Sequence, residues 1–335
     1  MQDRSLFIFN FKPNEKYQIN KKHIFAFLIF FCLTFILLEG INRYVFVGCR
    51  AELYKHLNKF INEKDQIEIV FLGDSHVADA IVPEYFKNKA FVLEYPGTNY
   101  IMFYYLLKHY IGQMPKLKMV VLEVDYNNFS SYRSNAFRKF EFWNKFLDYN
   151  ELVKIKGPGI ILNKFKNITI LDEELGRMNF FENIMVTLVS KEKWQHIKES
   201  WPYNIEPTPV ERAKLHFKNS NPYDKDLILY YLKILELCKK NNILLLALHL
   251  PLSNEYSNEA SKYVNIPELK HKLFLSEPYS EYIYKYFDYE KLYENDQALF
   301  KSNGDHITSY AAAMFSQMLA QEIAGVMRDT VSNNH

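Results

Sequence analysis

The sequence predicts an α/β fold in which a parallel β-sheet is covered by helices on both faces. Short runs that are apolar throughout alternate along the chain with longer segments of helical periodicity. Such continuous apolar runs are typical of strands that are buried on both sides. The chain has 335 residues, of which 48% are hydrophobic, and this suffices for one large domain or two modest ones.

Five strands are predicted from these runs. They begin near residues 67, 90, 117, 243 and 284. Helices are predicted over 50–64, 99–112, 225–240 and 308–326. We expect the strand order 2-1-3-4-5, because right-handed crossovers then bring the functional loops to one edge of the sheet.

A long apolar segment near the N-terminus predicts a membrane anchor. Ile24 to Leu38 carries no charge, and the apolar character resumes beyond Gly40, so that residues 23–46 are long enough to span a bilayer. Lysines precede this segment and arginines follow it, which places residues 1–22 in the cytoplasm and the main domain outside. A cleaved signal peptide and a buried core helix are the alternatives.

The remaining composition excludes several classes of function. The net charge of +2 gives no indication of nucleic-acid binding, and the three cysteines form no disulfide framework. No spacing of histidine, cysteine and acidic residues matches a metal site, and no glycine-rich phosphate loop is present. We therefore predict no metal and no cofactor.

Residues 128–221 interrupt the α/β rhythm and separate the two parts of the main domain, 50–127 and 222–330. The stretch is too long for a simple connection, so we expect a mostly helical insertion that folds on its own as a cap. Its many aromatic residues are open to two interpretations. They pack a small core of their own, or they line a substrate groove.

The candidate active site begins with Gly73-Asp74-Ser75-His76, directly after the first predicted strand. A serine at the tip of a buried parallel strand lies where open α/β sheets bind their ligands. A serine acts as a nucleophile only when a base removes its proton. The candidate for this base is His306, which ends the segment Asn303-Gly304-Asp305-His306 before the last helix. The backbone N–H of Ser75 is also a candidate oxyanion donor.

These two segments together resemble the SGNH/GDSL hydrolase superfamily, and the resemblance covers roughly residues 65–128 and 225–327. It implies a three-layer αβα sandwich with a five-stranded sheet and an acyl-serine intermediate. It also implies two further oxyanion donors, the N–H of Gly97 and the side chain of Asn127. The Asp125-Tyr126-Asn127-Asn128 segment departs from the family's pattern, which has Gly and a final Asp.

The acidic partner of His306 is open between two residues. The family's pattern places an acid three residues before the histidine, where this chain has Asn303. Asp305 is the nearest carboxylate and would serve if the turn were reshaped, since the acid of a triad orients the imidazole and stabilises its charge. Two other histidines, His76 and His249, are candidates for contacting the substrate.

An N-terminal span with an exported domain resembles proteins of D-alanine transfer or exopolysaccharide acetylation within this superfamily. The resemblance implies a serine acyltransferase or esterase that acts on acyl groups, O-acetyl above all, of a cell-surface glycan. Its partners would be the polysaccharide or its acyl donor, the membrane, and a membrane-embedded acyl-donor protein. The alternative is a non-catalytic, membrane-tethered glycan-binding or assembly protein that retains the fold.

Overall fold

A computed structural model describes residues 21–95, 97–134, 146–157 and 206–332, and the structure is discussed over these ranges. The tail expected over residues 1–22 lies almost wholly outside them. The same is true of most of the insertion expected over 128–221, since 135–145 and 158–205 are not described.

Five parallel strands form one sheet in the order β2-β1-β3-β4-β5, which confirms the predicted order. The strand bounds are β1 Ile69–Gly73, β2 Ala90–Glu94, β3 Met119–Glu123, β4 Leu244–His249 and β5 Lys285–Asp288. At the carboxyl edge Gly73 pairs with Glu94, Glu123 with Leu248, and His249 with Asp288. The loops that follow the strands therefore start from a common edge.

Ten α-helices are described. They are α1 Lys21–Glu63, α2 Ser75–Ala80, α3 Tyr100–Tyr110, α4 Ser131–Ser134, α5 Tyr149–Lys156, α6 Pro209–Phe217, α7 Lys225–Lys240, α8 Asn254–Ala260, α9 Ile266–Lys270 and α10 Ser309–Ser332. A 3₁₀ turn over Tyr126–Phe129 follows β3. The helix predicted over 225–240 has the observed bounds, because Asp224 caps the first turn by accepting the N–H groups of Asp226 and Leu227.

Two apolar clusters cover the two faces of the sheet. Successive residues of a strand point to opposite faces, and in β1 Val70 and Leu72 enter one cluster while Ile69 and Phe71 enter the other. The first cluster includes side chains of α3 and α7, and the second includes side chains of α2 and α10. The sheet is therefore covered by helices on both faces.

The N-terminal helix α1 runs without a break from Lys21 to Glu63. Near its end, Leu57 and Phe60 are buried in the first apolar cluster. Over residues 24–37, ten large apolar side chains are exposed, among them Phe25, Phe27 and Phe30. Within the described part of the chain, no helix meets the length and hydropathy requirements of a membrane span.

The described portions of the insertion share the core of the main domain. Leu147 and Leu152, beside and within α5, and Ala213 and Phe217 of α6 belong to the same apolar cluster as α3 and α7. These portions are helical, as expected, but they pack against the sheet domain and not against a core of their own. The domain boundaries remain a prediction, because the middle of the insertion lies outside the described residues.

Candidate active site

Ser75 is held at the carboxyl edge of the sheet by a close-packed turn. Gly73 ends β1, and a Cβ at this position would collide with Val77 and with the Glu123 carboxylate. Asp74 then caps α2, since its Oδ1 accepts the N–H of His76 at 2.8 Å. Ser75 is the first residue of that helix, so its own N–H lies at a helix N-terminus, where developing negative charge is stabilised.

Ser75, His306 and Asp305 form a hydrogen-bonded series. His306 Nε2 lies 3.0 Å from Ser75 Oγ, and His306 Nδ1 lies 2.8 Å from Asp305 Oδ1. Asn303, the other candidate partner, has a buried Oδ1 that finds no hydrogen-bond partner among the described residues. Of the two candidates that the sequence left open, the structure therefore brings Asp305 to the imidazole.

The turn before His306 explains how a neighbouring residue can reach its ring. Gly304 has a φ of 72°, a conformation that favours glycine. The Gly304 carbonyl accepts the N–H of Ser253 at 2.9 Å, and the Lys301 N–H donates to the carbonyl of His306 at 2.8 Å. The backbone folded in this way turns the Asp305 carboxylate back toward the imidazole that follows it.

The second oxygen of Asp305 is also occupied. Asp305 Oδ2 accepts Nε–H of Arg212 at 2.7 Å and lies 3.2 Å from His76 Nε2. Burial alone would raise the pKa of Asp305, but its hydrogen bonds to His306 and His76 and their charges hold that pKa well below the usual range. Asp305 is therefore a carboxylate over the pH range in which a triad works.

His76, which the sequence suggested as a substrate contact, lies buried beneath the site, with the residue only 2% exposed. Its contact with substrate stays a prediction. Nδ1 lies 2.7 Å from Asp125 Oδ2, and the ring meets that of His306 edge-on at 4.5 Å between centroids. The side chain turns inward because carboxylates at the end of β3 and before α10 surround it.

His249 is likewise not at the surface of a pocket. Its residue is fully buried, its Nδ1 lies 3.3 Å from Asp288 Oδ1, and its ring lies against that of Tyr126. Burial raises the pKa of Asp288, but its bonds to His249 and Lys270 outweigh this and leave the pKa well below the usual value. His249 therefore belongs to a structural network under the sheet edge.

Two of the expected oxyanion donors have matching local features. Asn127, on the 3₁₀ turn after β3, is 1% exposed, and its Nδ2 has no hydrogen-bond acceptor among the described residues. A buried amide donor without a partner is unusual and suits a group that waits for a ligand. Gly97, after β2, has a φ of 72°. Their roles remain predictions.

Sequence reasoning missed a buried charged layer under Ser75. Arg133 of α4 forms an ion pair with Asp74 Oδ2, and both are buried. Glu123 Oε2 accepts the N–H of Asp74 at 2.8 Å. Burial opposes ionisation of Asp74, yet the charges of Arg133 and His76 lower its pKa to about 2. The sequence feature that could have indicated this layer is the pair Glu123 and Asp125, two acidic residues at the end of an apolar strand.

A half-buried ion pair lies beside the nucleophile. Asp79, four residues after Ser75, has Oδ2 at 3.8 Å from His306 Nε2. Lys301 Nζ binds the same oxygen at 2.7 Å. This carboxylate and ammonium lie at the solvent side of the imidazole.

Three groups of side chains converge closely enough to bind a metal ion, although no spacing in the sequence indicated one. They are His76 with Asp305 and His306, Asp74 with His76 and Glu123, and His249 with Asp288 and Glu290. In each group an internal cation already binds a carboxylate: Arg212 on Asp305, Arg133 on Asp74, and Lys270 on both Asp288 and Glu290. The side chains of each group are therefore already part of a network of ion pairs.

Comparisons with known proteins give little beyond this geometry. No protein-family model matches the chain, and no curated protein matches it. Among solved structures, the chain is similar to a Bacteroides fragilis protein described as a "putative acylhydrolase". The identity is 13%, the alignment covers 81% of this chain and 96% of that one, and the TM-score is 0.41.

Proposed function

We propose that this protein is a serine acyltransferase or esterase that acts outside the cytoplasm on ester-linked acyl groups, O-acetyl above all, of a cell-surface glycan. The observation that supports an acyl-transfer site is the series Ser75 Oγ, His306, Asp305, with contacts of 3.0 Å and 2.8 Å. This is the arrangement in which a hydroxyl, a base and an orienting acid act as one unit.

In the proposed reaction, His306 Nε2 removes the proton from Ser75 Oγ as that oxygen attacks the acyl carbonyl carbon. The tetrahedral oxyanion accepts hydrogen bonds from the N–H groups of Ser75 and Gly97 and from Asn127 Nδ2. The C–O bond to the leaving alkoxide then breaks, and His306 returns the proton to that oxygen. An acyl-serine remains.

The acyl-serine is resolved by a second hydroxyl. His306 removes a proton from water or from a sugar hydroxyl, the oxygen attacks the acyl carbon, and the bond to Ser75 Oγ breaks as His306 returns the proton. Water as acceptor makes the protein an esterase, and a sugar makes it a transferase. Asp305 stabilises the imidazolium in both halves because its Oδ1 faces Nδ1.

The proposed location at the cell surface is supported by the exposed apolar part of the N-terminal helix. Apolar side chains are exposed along residues 24–37 of α1, which suits a lipid environment. Lysines precede this segment, so a single span of the inner or cytoplasmic membrane would leave the sheet domain outside. The partners proposed are a surface polysaccharide or its acyl donor, and a membrane-embedded protein that delivers the acyl group.

The alternative, a tethered glycan-binding protein without activity, was suggested by the departures from the family's pattern at Asn303 and at Asp125. The contact of Asp305 with His306 removes the first of these reasons, and the second stays. The geometry of the triad therefore favours the enzyme.

The test uses the full-length protein in detergent. A fluorophosphonate reacts with an activated serine whatever the natural substrate, so it should label Ser75 in the wild type and nothing in Ser75→Ala, as read by peptide mass spectrometry. In cells, the O-acetyl content of surface polysaccharide should differ between wild type and Ser75→Ala. Equal labelling and equal acetyl content in the two strains would reject the proposal.

A further inference from the structure

We infer that His76 is a protonated positioning residue, an imidazolium that bridges Asp125 and Asp305 beneath the triad and fixes the Asp305 carboxylate against His306. The inference rests on the proposed function for its kinetic consequence. Its structural part, the double protonation of one buried ring, holds whether or not an ester is the substrate.

The geometry around the ring assigns its protonation. Nδ1 lies 2.7 Å from Asp125 Oδ2, and Nε2 lies 3.2 Å from Asp305 Oδ2. Both neighbours are carboxylate oxygens, which only accept hydrogen bonds, so both ring nitrogens must carry a proton to satisfy them. A neutral ring would leave one nitrogen lone pair facing a carboxylate oxygen in a buried place.

The charges of the surrounding elements agree with this assignment. The groups that face His76 are Asp74 from the cap of α2, Glu123 and Asp125 from β3 and the loop after it, and Asp305 and His306 from the loop before α10. Behind them, Arg133 of α4 binds Asp74 and Arg212 of α6 binds Asp305. Burial and the charges of Asp74 and Asp125 raise the pKa of Glu123 well above its usual range. The carboxylates of Asp74, Asp125 and Asp305 are then balanced by two arginines and one imidazolium.

The direction of the His76 pKa is consistent with this balance. Burial alone would lower that pKa, but the charge of Asp74 and the hydrogen bonds to Asp125 and Asp305 raise it well above the ordinary value. Geometry and charge therefore point the same way. The ring stays cationic across neutral pH.

Two consequences for the triad follow. First, His76 and Arg212 hold Asp305 Oδ2, so that Oδ1 is left in place for His306 Nδ1. Second, the positive charge of the His76 ring lies 4.5 Å from the His306 ring, measured between centroids, so removal of this charge should change the pH profile of the reaction.

The kinetic experiment measures the rate at which a fluorophosphonate labels Ser75 in the full-length protein as a function of pH. His76→Gln keeps one amide donor and removes the charge. We expect labelling at the pH optimum to fall about 10- to 100-fold, since a displaced orienting group costs about this much. We also expect the acid side of the profile to move to higher pH by about one unit.

The matched control is His56→Gln. His56 is a half-buried histidine of α1 that lies outside the site, and its Nε2 lies 3.0 Å from the Val92 carbonyl oxygen. This variant should leave both rate and profile unchanged. A purely structural role of His76 predicts a lower rate with an unshifted profile. That outcome, or wild-type behaviour of His76→Gln, would overturn the inference.

The second experiment does not depend on activity. In histidine labelled with ¹⁵N, the ring of His76, assigned from the signals missing in His76→Gln, should show two protonated nitrogens from pH 6 to pH 9. Asp125→Asn, which replaces a carboxylate by a neutral amide, should let the ring lose one proton within that range. A neutral His76 ring at pH 7 in the wild type would refute the inference even if Ser75 proved unreactive and the proposed function failed.

Discussion

Arg212 Nε donates to Asp305 Oδ2 at 2.7 Å across 93 residues of sequence, so the acid of the proposed triad is held by a helix of the insertion. The same helix, α6, begins at Pro209, which packs against Gly304. Burial disfavours the charge of Arg212, but the charge of Asp305 and the bond to it outweigh this and raise its pKa. The described part of the insertion therefore contributes to the construction of the site.

Arg212→Ala should lower the rate of acyl turnover about tenfold or more with a smaller effect on KM, because Asp305 loses a charged hydrogen bond that fixes its orientation. Arg212→Lys keeps the charge but loses the planar donor, so it should recover only part of the rate. Lys214→Ala, at an exposed position of the same helix, serves as the control. Wild-type kcat in Arg212→Ala would show that His76 alone suffices.

Ser75→Ala and His306→Ala should each lower turnover of a generic acetyl ester by several orders of magnitude. The double variant should be no worse than either single one, because the two residues act as a unit. Unfolding in denaturant should change little for Ser75→Ala, since a single hydroxyl is removed. If the double variant were slower by the product of the single effects, Ser75 and His306 would not act in one step.

Asp305→Ala should reduce the rate about 10²- to 10⁴-fold, by analogy with the acid of other triads. Asn303→Ala should be mild, because the Asn303 Oδ1 has no hydrogen-bond partner in the described part of the chain and the His306 ring is held elsewhere. Initial rates on an acetyl ester, with circular dichroism as a check of folding, compare the two variants. The opposite ranking would return Asn303 to the role of partner.

The sequence was sufficient for features that depend on local chemistry. The continuous apolar runs predicted every strand start to within two residues, and Asp224 fixed the start of α7. The sequence was not sufficient to identify the acid that contacts His306. The choice between Asn303 and Asp305 depends on the shape of the turn between them, and Ser253 and Pro209, which are distant in sequence, shape that turn.

The buried position of the His76 ring was not evident from the sequence for a related reason. The ring meets that of His306 because carboxylates at the end of β3 and before α10 converge there. No local sequence pattern indicated the roles of Arg133 and Arg212, because each arginine contacts its acidic partner only when the edge of the sheet is assembled.

Acid should destabilise the protein through the buried carboxylates. The pKa of Asp74 falls from 3.8 to about 2 on folding, despite burial, because of Arg133 and His76. A folded pKa below the unfolded one stabilises the protein above the unfolded value, and this contribution is lost as pH falls through the folded value. The free energy of unfolding should therefore drop by about 2 kcal/mol between about pH 4 and pH 2 from this residue.

Asp74→Asn tests this assignment. The variant should be less stable than wild type at pH 7, because Arg133 loses its partner, and the difference should narrow as the pH approaches 2. Urea unfolding of the full-length protein at a series of pH values provides the measurement. A difference that stays constant with pH would mean that Asp74 is not ionised in the folded protein.

Gly304 and Gly157 provide a matched pair for testing the turn before His306. Both have positive φ, 72° and 80°, so alanine at either position should cost about 1 kcal/mol of backbone strain or more. Among the described residues, a Cβ at Gly157 would meet nothing within 4 Å, whereas one at Gly304 would collide with Ser253 Oγ and lie 2.7 Å from Pro209 Cβ. The turn must then move, and Asp305 moves with it.

Gly304→Ala should therefore lower both the stability and the rate, the latter about 10²-fold, while Gly157→Ala should lower the stability slightly and leave the rate unchanged. Denaturant unfolding and initial rates on an acetyl ester separate the two effects. Equal rates in Gly304→Ala and Gly157→Ala would mean that the close contact with α6 does not position the acid.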